Sequence, residues 1–413
     1  MPMRMDANRA TEFARHRDAP AAPPLRLREA VLARVLGHLA MGALTVVTPD
    51  GRSLCGQGRR SGPEATLVLH RWRALRRLIV GGDVAFAEAY VAGDWSSPNL
   101  PTFIELAAHN LPAIADRIAA LPPIRLWNRL CHLFRRNSRA GSRRNIAFHY
   151  DLGNEFYRLW LDAGMSYSSA IAIAAGQSLE EAQTARLERI VAMLDVAPGQ
   201  RLLEIGCGWG ALAATLAGRG VDVTGITLSR AQLAHANALV AADPHLAAHA
   251  QLRLQDYRDV TGRYDRIVSI EMLEAVGEAY WPVYFAKLRE CLESGGTAVL
   301  QVITIDESRF EGYRRNTDFI QRHIFPGGML PTKAHIARHA AAAGLELVET
   351  QFFGSGYAQT LEQWRTRYVA ARAQIDELGF DPEFHRLWEY YLGYCEGGFR
   401  AGAIDVGLYR LKG

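Results

Sequence analysis

Glu204 and three glycines, spaced Glu204-x-Gly206-x-Gly208-x-Gly210, close the apolar run Leu202-Leu203-Glu204-Ile205. The pattern reads as a buried parallel strand that ends in a glycine turn and opens a helix. Glycine lets the backbone turn sharply and lets a ligand approach the main chain. The helix N-terminus beyond it presents free N–H groups and a partial positive charge. Such a turn suits a nucleotide-like cofactor. It lacks the closing Lys-Ser/Thr of a phosphate loop, so the spacing favours S-adenosylmethionine (SAM) over ATP. The alternative is a glycine turn without a ligand. Two more turns follow strand-like runs. Thr227-Leu228-Ser229 is placed for the ribose or methionine end of SAM, and Asp256-Tyr257 for adenine. Capping accounts for Ser229 alone but not for the three turns together.

The elements that must position these turns alternate. Strands are expected at Leu202–Ile205, Val221–Ile226, Ala250–Leu254, Arg266–Ile270 and Thr297–Ile303, with helices between; one starts at the N-cap Ser229 with Gln232 in the capping-box position. This predicts an α/β domain over residues 149–413 with a mostly parallel sheet and helices on both faces. Residues 305–345 interrupt the rhythm and read as a cap. Late strands are expected at Leu345–Phe352 and Val406–Leu411, with helical segments 361–377 and 384–396 helping to roof the site. Ahead of this lie a disordered Pro/Ala/Arg leader (1–26), a smaller α+β unit (27–120) and a basic connector (121–148). The unit holds a helix from Leu27 to Met41, strands around Leu44–Thr48 and Ala65–Leu69, and a helix after Gly81-Gly82-Asp83 that stops at Gly93. The connector carries Arg135, Arg136, Arg139, Arg143 and Arg144. It is either a solvated linker or a contact for anionic lipid head groups.

Composition narrows the classes. The chain has 413 residues, 49% hydrophobic and 22% charged, which indicates an ordered soluble protein of two domains. A net charge of +4, with no basic stripe interleaved with aromatics, argues against nucleic acid. No apolar run approaches a membrane span and the N-terminus is not a secretory signal. The five cysteines are scattered with no Cys-x-x-Cys pair, so neither a zinc site nor a disulfide framework is expected, and the default compartment is the cytoplasm.

The motifs together resemble the cyclopropane fatty acyl phospholipid synthase family of SAM-dependent methyltransferases. Those carrying the resemblance include His149-Tyr150-Asp151-Leu152-Gly153-Asn154, Met165-Ser166-Tyr167-Ser168, Leu203–Gly210, Gly225–Ser229, Gln255–Asp259, Ile324-Phe325-Pro326-Gly327-Gly328 and Tyr390-Tyr391-Leu392. The resemblance runs from about Gly81 to the C-terminus. It implies a seven-stranded, Rossmann-like methyltransferase sheet with a lipid-facing N-terminal domain. The substrate it implies is a cis double bond in an unsaturated phospholipid acyl chain, reached by peripheral contact with the inner face of the membrane, and a homodimer is the family-based expectation. Tyr167, Ser168, Gly206, Gly208, Thr227, Leu228 and Gln232 would hold SAM, with Asp256 and Tyr257 near adenine. No metal is implied.

An unactivated alkene is a weak nucleophile, and methylating it leaves a carbocation. The site must exclude water, offer aromatic faces such as Tyr167 and Phe325, and remove a proton. In the family that base is a bicarbonate held by a Cys, a Glu, a His, a Tyr and backbone. Glu274 stands at the Glu position, Tyr357 at the Tyr position and Ile303 at the backbone position. Ser169 replaces the Cys, Gln301 the aligned His, and Ala275 the His that follows the Glu. Cys395 matches a cysteine sometimes treated as catalytic, and otherwise reads as a buried structural thiol. Ser and Gln hydrogen-bond an anion but supply no imidazolium charge, so bicarbonate is expected to bind less tightly. The product is a cyclopropane or, if the cation is redirected, a methylene- or methyl-branched or methylated furan chain. Glu271 reads as a solvent-facing or pairing carboxylate, Trp209 as a packing anchor. Two other readings are a small-molecule methyltransferase on the same fold and a lipid-binding protein with a decayed site.

Overall fold

The computed structural model describes residues 27–118 and 152–413. The leader, the connector arginines and His149-Tyr150-Asp151 lie outside the described residues.

The N-terminal unit builds one sheet from β1 (Met41–Val47), β2 (Ser53–Gln57), β3 (Arg60–Leu69) and β4 (Trp95–Ser96), in the order β2-β1-β3-β4. β1 and β2 form a hairpin over Pro49-Asp50-Gly51, where Gly51 takes φ 80°. β2 escapes the sequence reading because its two inward positions are Leu54 and Gly56, and glycine adds no apolar side chain to the alternation. The first helix ends at Leu36 rather than Met41. Asn110 Oδ1 accepts the N–H groups of Ala40 (2.7 Å) and Met41 (3.2 Å) and holds the chain extended there. The helix Arg73–Val91 starts ahead of Gly81-Gly82 and passes through them with a break at Gly82 (φ 69°, ψ −158°). Its far half packs Phe86 flat on Trp95, with ring centroids 4.4 Å apart, and the Trp95 indole donates to the Phe86 carbonyl at 2.8 Å.

The main sheet holds β5 (Arg201–Ile205), β6 (Asp222–Thr227), β7 (Ala250–Leu254), β8 (Tyr264–Ile270), β9 (Leu292–Ile305), β10 (Glu346–Phe352) and β11 (Ile404–Lys412). The order is β10-β11-β9-β8-β5-β6-β7. β5 to β9 are parallel, and β11 runs antiparallel between β9 and β10. The chain leaves β5 toward β7 and returns on the other side at β8, so a crevice opens beyond the carboxyl ends of β5 and β8.

The expected cap is narrower than 305–345. Helices Glu307–Arg315 and Phe319–His323 lie over the crevice, whereas Lys333–Ala342 is an ordinary crossover helix packed on helix Trp281–Cys291 and β10. Helices Gly354–Ala370 and Pro382–Arg400 roof the same end. The latter also packs on helix Leu100–Ile118, and Tyr90 meets Tyr390 at 5.3 Å, so the two units share one core.

Gly356 fixes how closely the roof approaches the loop below it. A Cβ there would sit 1.9 Å from the Ile171 carbonyl oxygen. Gly356→Ala is therefore expected to cost about 1–3 kcal/mol through overpacking, seen as a lower midpoint in denaturant melts. A midpoint equal to wild type would contradict this contact.

Candidate active site

The glycine turn does what its spacing implies, with a separate reason at each position. Gly206 (φ 86°) and Gly208 (φ 51°) face a cavity of about 850 Å³, and nothing lies within 4 Å of where a Gly208 Cβ would stand. Gly210 (φ 93°) instead lets the turn pack on helix Arg230–Ala241, where a Cβ would meet that of Ala236 at 2.9 Å. Thr227, Leu228 and Gln232 line the same cavity. The Gln232 side chain does not complete a capping box; its Oε1 accepts from the Thr227 hydroxyl at 3.0 Å, while Ser229 caps the Gln232 N–H at 3.2 Å. Gln255 and Tyr257 close this end. The Asp256 carboxylate is buried and committed to Arg258, at 2.9 and 2.7 Å, and it lines a small neighbouring recess rather than the main cavity. Open glycine backbone and buried hydroxyl and amide groups fit the methionine and ribose ends of SAM.

The second half of the site is a carboxylate cluster. Glu271 follows β8 directly with φ 48°, a left-handed conformation that costs a non-glycine residue about 1–2 kcal/mol. Its Oε1 accepts from the Ser169 N–H (3.0 Å) and the Gln301 amide (2.7 Å), and its Oε2 from the Tyr357 hydroxyl (2.7 Å). Burial pushes its carboxyl up, and these donors together with the Arg186 charge oppose that and favour the anion. Glu274 accepts the Ile303 N–H at 2.5 Å through Oε1, while its buried Oε2 has no hydrogen-bond partner. Burial first, then the Glu271 charge, push it up to about 8, so near neutral pH it keeps its proton. Burial thus raises both acids, and Glu271 has more donors than Glu274 to oppose it.

From this cluster the cavity runs between the two units. Its walls include Tyr167, Phe325, Tyr391 and Phe399 near the carboxylates, and Phe86, Phe103 and Ile104 from the N-terminal unit. The hydroxyls of Tyr167 and Tyr391 meet at 2.6 Å.

Of the residues singled out in the sequence, Tyr167, Gly206, Gly208, Thr227, Leu228, Gln232, Tyr257, Glu274, Tyr357 and Cys395 line the cavity. Ser168 is buried behind it, its carbonyl accepting from Gln183 at 2.7 Å. The Ser169 hydroxyl turns away to the Ala170 carbonyl (2.6 Å), so this residue reaches the cluster through its N–H. Gln301 is fully buried and points its amide at Glu271. Burial holds the Cys395 thiol protonated. Trp209 is an anchor, bonded to Asn154 Oδ1 at 2.8 Å and packed on Tyr157. The residue missed was Glu271. Its only sequence signal was an acid directly after a strand at the switch point, three positions before Glu274.

A family model described as mycolic acid cyclopropane synthetase matches residues 137–408. The chain is 38% identical over 396 residues to the tuberculostearic acid methyltransferase UfaA1 of Mycobacterium tuberculosis, covering 94% of this chain and 91% of that protein. It is 33% identical over 345 residues to the cyclopropane-fatty-acyl-phospholipid synthase of Escherichia coli K12, covering 80% and 83%. The crystal structure of the mycolic acid cyclopropane synthase CmaA1 with SAH and CTAB matches with a TM-score of 0.62 at 31% identity, over 66% of this chain and 98% of CmaA1.

Glu204, under the glycine turn, is 3% exposed and pushed up to about 8 by burial, against the pull of Arg186. It holds its proton in the folded protein. The stability this contributes is full below about pH 4.5 and is lost as the pH rises through about 8. The melting temperature should fall over that window, and Glu204→Gln should make the fall shallower, Glu274 titrating in the same range. An unchanged slope in that variant would refute the assignment.

Proposed function

The chain belongs to the mycolic acid cyclopropane synthetase family of SAM-dependent lipid methyltransferases, and on that premise we propose that it methylates a carbon of a cis double bond inside a phospholipid acyl chain. The observation that carries this reading is the single cavity joining the glycine turn to a long apolar and aromatic passage. A small polar substrate has no use for such a passage, and a decayed site has no use for an ordered carboxylate cluster. SAM supplies a methyl group on a sulfonium, activated by its positive charge. Gly206, Gly208, Thr227, Leu228 and Gln232 hold that end. The apolar walls from both units exclude water, which would trap a cation. The faces of Tyr167 and Phe325 stabilise developing positive charge.

The product is a cyclopropane if a methyl proton leaves before the cation moves. It is an exocyclic methylene if a hydride shifts first. The relative that covers 94% of this chain is named a tuberculostearic acid methyltransferase, not a cyclopropane synthase, and this favours the open-chain product. The deciding experiment expresses the chain in a bacterial host lacking its own cyclopropane synthase and fed methyl-labelled methionine. NMR of extracted acyl chains separates ring methylene, exocyclic methylene and methyl branch. A folded, SAM-binding protein that puts no label into acyl chains of a host supplying oleoyl lipids would refute the reading.

Acyl chains must enter from a bilayer, and among the described residues no helix is long and apolar enough to cross one. The entrance we assign is the tip of the first half of helix Arg73–Val91, just ahead of its break at Gly82. Leu78, Ile79 and Val80 are 39%, 62% and 67% exposed, Arg76 and Arg77 precede them, and Leu78 and Gly82 line the cavity. An exposed apolar tip beside cations fits an anionic phospholipid surface. Co-sedimentation at low salt should favour phosphatidylglycerol vesicles over phosphatidylcholine ones and should weaken at least about tenfold in an Ile79→Glu/Val80→Glu variant. Equal binding of that variant would rule out the tip.

A further inference from the structure

We propose that Glu271 is a resident base. Its carboxylate fills the donor cradle made by the Ser169 N–H, the Gln301 amide and the Tyr357 hydroxyl, and takes the proton that the methylated acyl chain sheds. This rests on acyl-chain methylation as the reaction.

The cradle is the first argument. Three donors from three elements converge on one carboxylate: a loop N–H, a side chain on β9 and a phenol on helix Gly354–Ala370. Such a set is what holds a small oxyanion. Here the oxyanion belongs to the chain itself, so a bicarbonate has no place among the same donors. The cradle uses both lone-pair positions of Oε1 but only one of Oε2. Glu271 also lines the cavity, so a lone pair remains for a proton from the substrate.

The backbone is the second argument, and it is independent of the first. The non-glycine residues with positive φ among the described residues are Met165, Asp195 and Glu271. Asp195 ends the helix Leu179–Leu194. Met165 leads into Tyr167, and Glu271 stands where glycine would be relaxed. A strained position that keeps an acid, pointing into a cavity, is a functional one.

The two acids also differ in what surrounds them. Glu274 accepts the Ile303 N–H through Oε1, and burial with the neighbouring acid pushes it up to about 8. Arg186, 3% exposed, supplies buried positive charge that favours the Glu271 anion. Glu271 is thus the acid positioned to accept.

The step balances without a further reactant. Methyl transfer breaks the methyl–sulfur bond, whose electron pair stays on sulfur, and forms a carbon–carbon bond from the alkene pair. The acyl chain then carries one positive charge. Glu271 takes a proton from the added methyl carbon. The released C–H pair either closes the three-membered ring or, after a 1,2-hydride shift, becomes an exocyclic double bond. The glutamic acid then returns its proton to solvent. A saturated methyl branch would need a reductant and is not part of this proposal.

The test uses the full chain with SAM and vesicles of dioleoyl phosphatidylglycerol. Wild-type turnover should be the same in carbonate-free buffer and with added bicarbonate. Glu271→Gln, close in shape, should lose about 100-fold or more in kcat while keeping SAM affinity by calorimetry. Glu271→Gly relaxes the backbone and empties the cradle; it should lose as much and regain about tenfold with added formate or bicarbonate. A readout that needs no turnover is exchange broadening of 13C-bicarbonate in the presence of SAH, expected with Glu271→Gly and absent with wild type. Wild-type turnover that requires bicarbonate, full activity in Glu271→Gln, or no broadening with Glu271→Gly would each overturn the proposal. If the wild type labels no acyl chain, the reading of the substrate fails, while the broadening experiment still decides whether this cradle holds an anion.

Discussion

A carboxylate buried at the end of a central strand stays charged only if donors reach it from several directions. That constraint organises this molecule. Glu271 sits where the sheet order reverses, and the groups that stabilise it come from the loop after Tyr167, from β9 and from the roof helix Gly354–Ala370. Each supplier is positioned by something else. β9 places Gln301 through its parallel ladder with β8, in which Ile270 faces Gln301. The roof helix reaches the loop because Gly356 has no side chain to keep it away. Loss of any one donor leaves a buried charge short of a partner, which costs far more than an exposed one.

The same constraint shapes the cavity. At one end lie glycine backbone and the Thr227–Gln232 pair, able to meet a polar cofactor. At the other lie side chains of both units. The N-terminal unit is outside the matched family segment, yet Phe86, Phe103 and Ile104 complete the passage, and the aromatic packing of Tyr90 on Tyr390 ties that wall to the roof. Glu274 is pushed up to about 8 by burial first and then by the neighbouring Glu271, since two like charges in a dry site raise each other's cost.

Much was legible in the chain. The glycine spacing marked the turn because glycine takes positive φ at Gly206 and Gly208 without strain. Apolar runs between turns marked β5, β6 and β8, since a strand buried on both faces has no polar side to hide. The helical segment 384–396 was read as part of a roof, and Tyr391, Cys395 and Phe399 of helix Pro382–Arg400 line the cavity. β2 had no such pattern, and the first helix ended early because Asn110, seventy positions away, captured the backbone at Ala40.

By itself, then, the sequence determined the class of fold, the glycine turn and the aromatic character of the site, because these depend on local spacing and on which residue types tolerate a given backbone. Tertiary structure decided the chemistry of the carboxylates. Ser169, Gln301 and Tyr357 were read as holders of a foreign anion, with Glu271 as a bystander. Folding brings residues from positions 169, 271, 301 and 357 within hydrogen-bond distance and turns the Ser169 hydroxyl away. How strongly each acid is pushed up, and which group a donor serves, are set by burial and direction, and neither is written in the order of the residues.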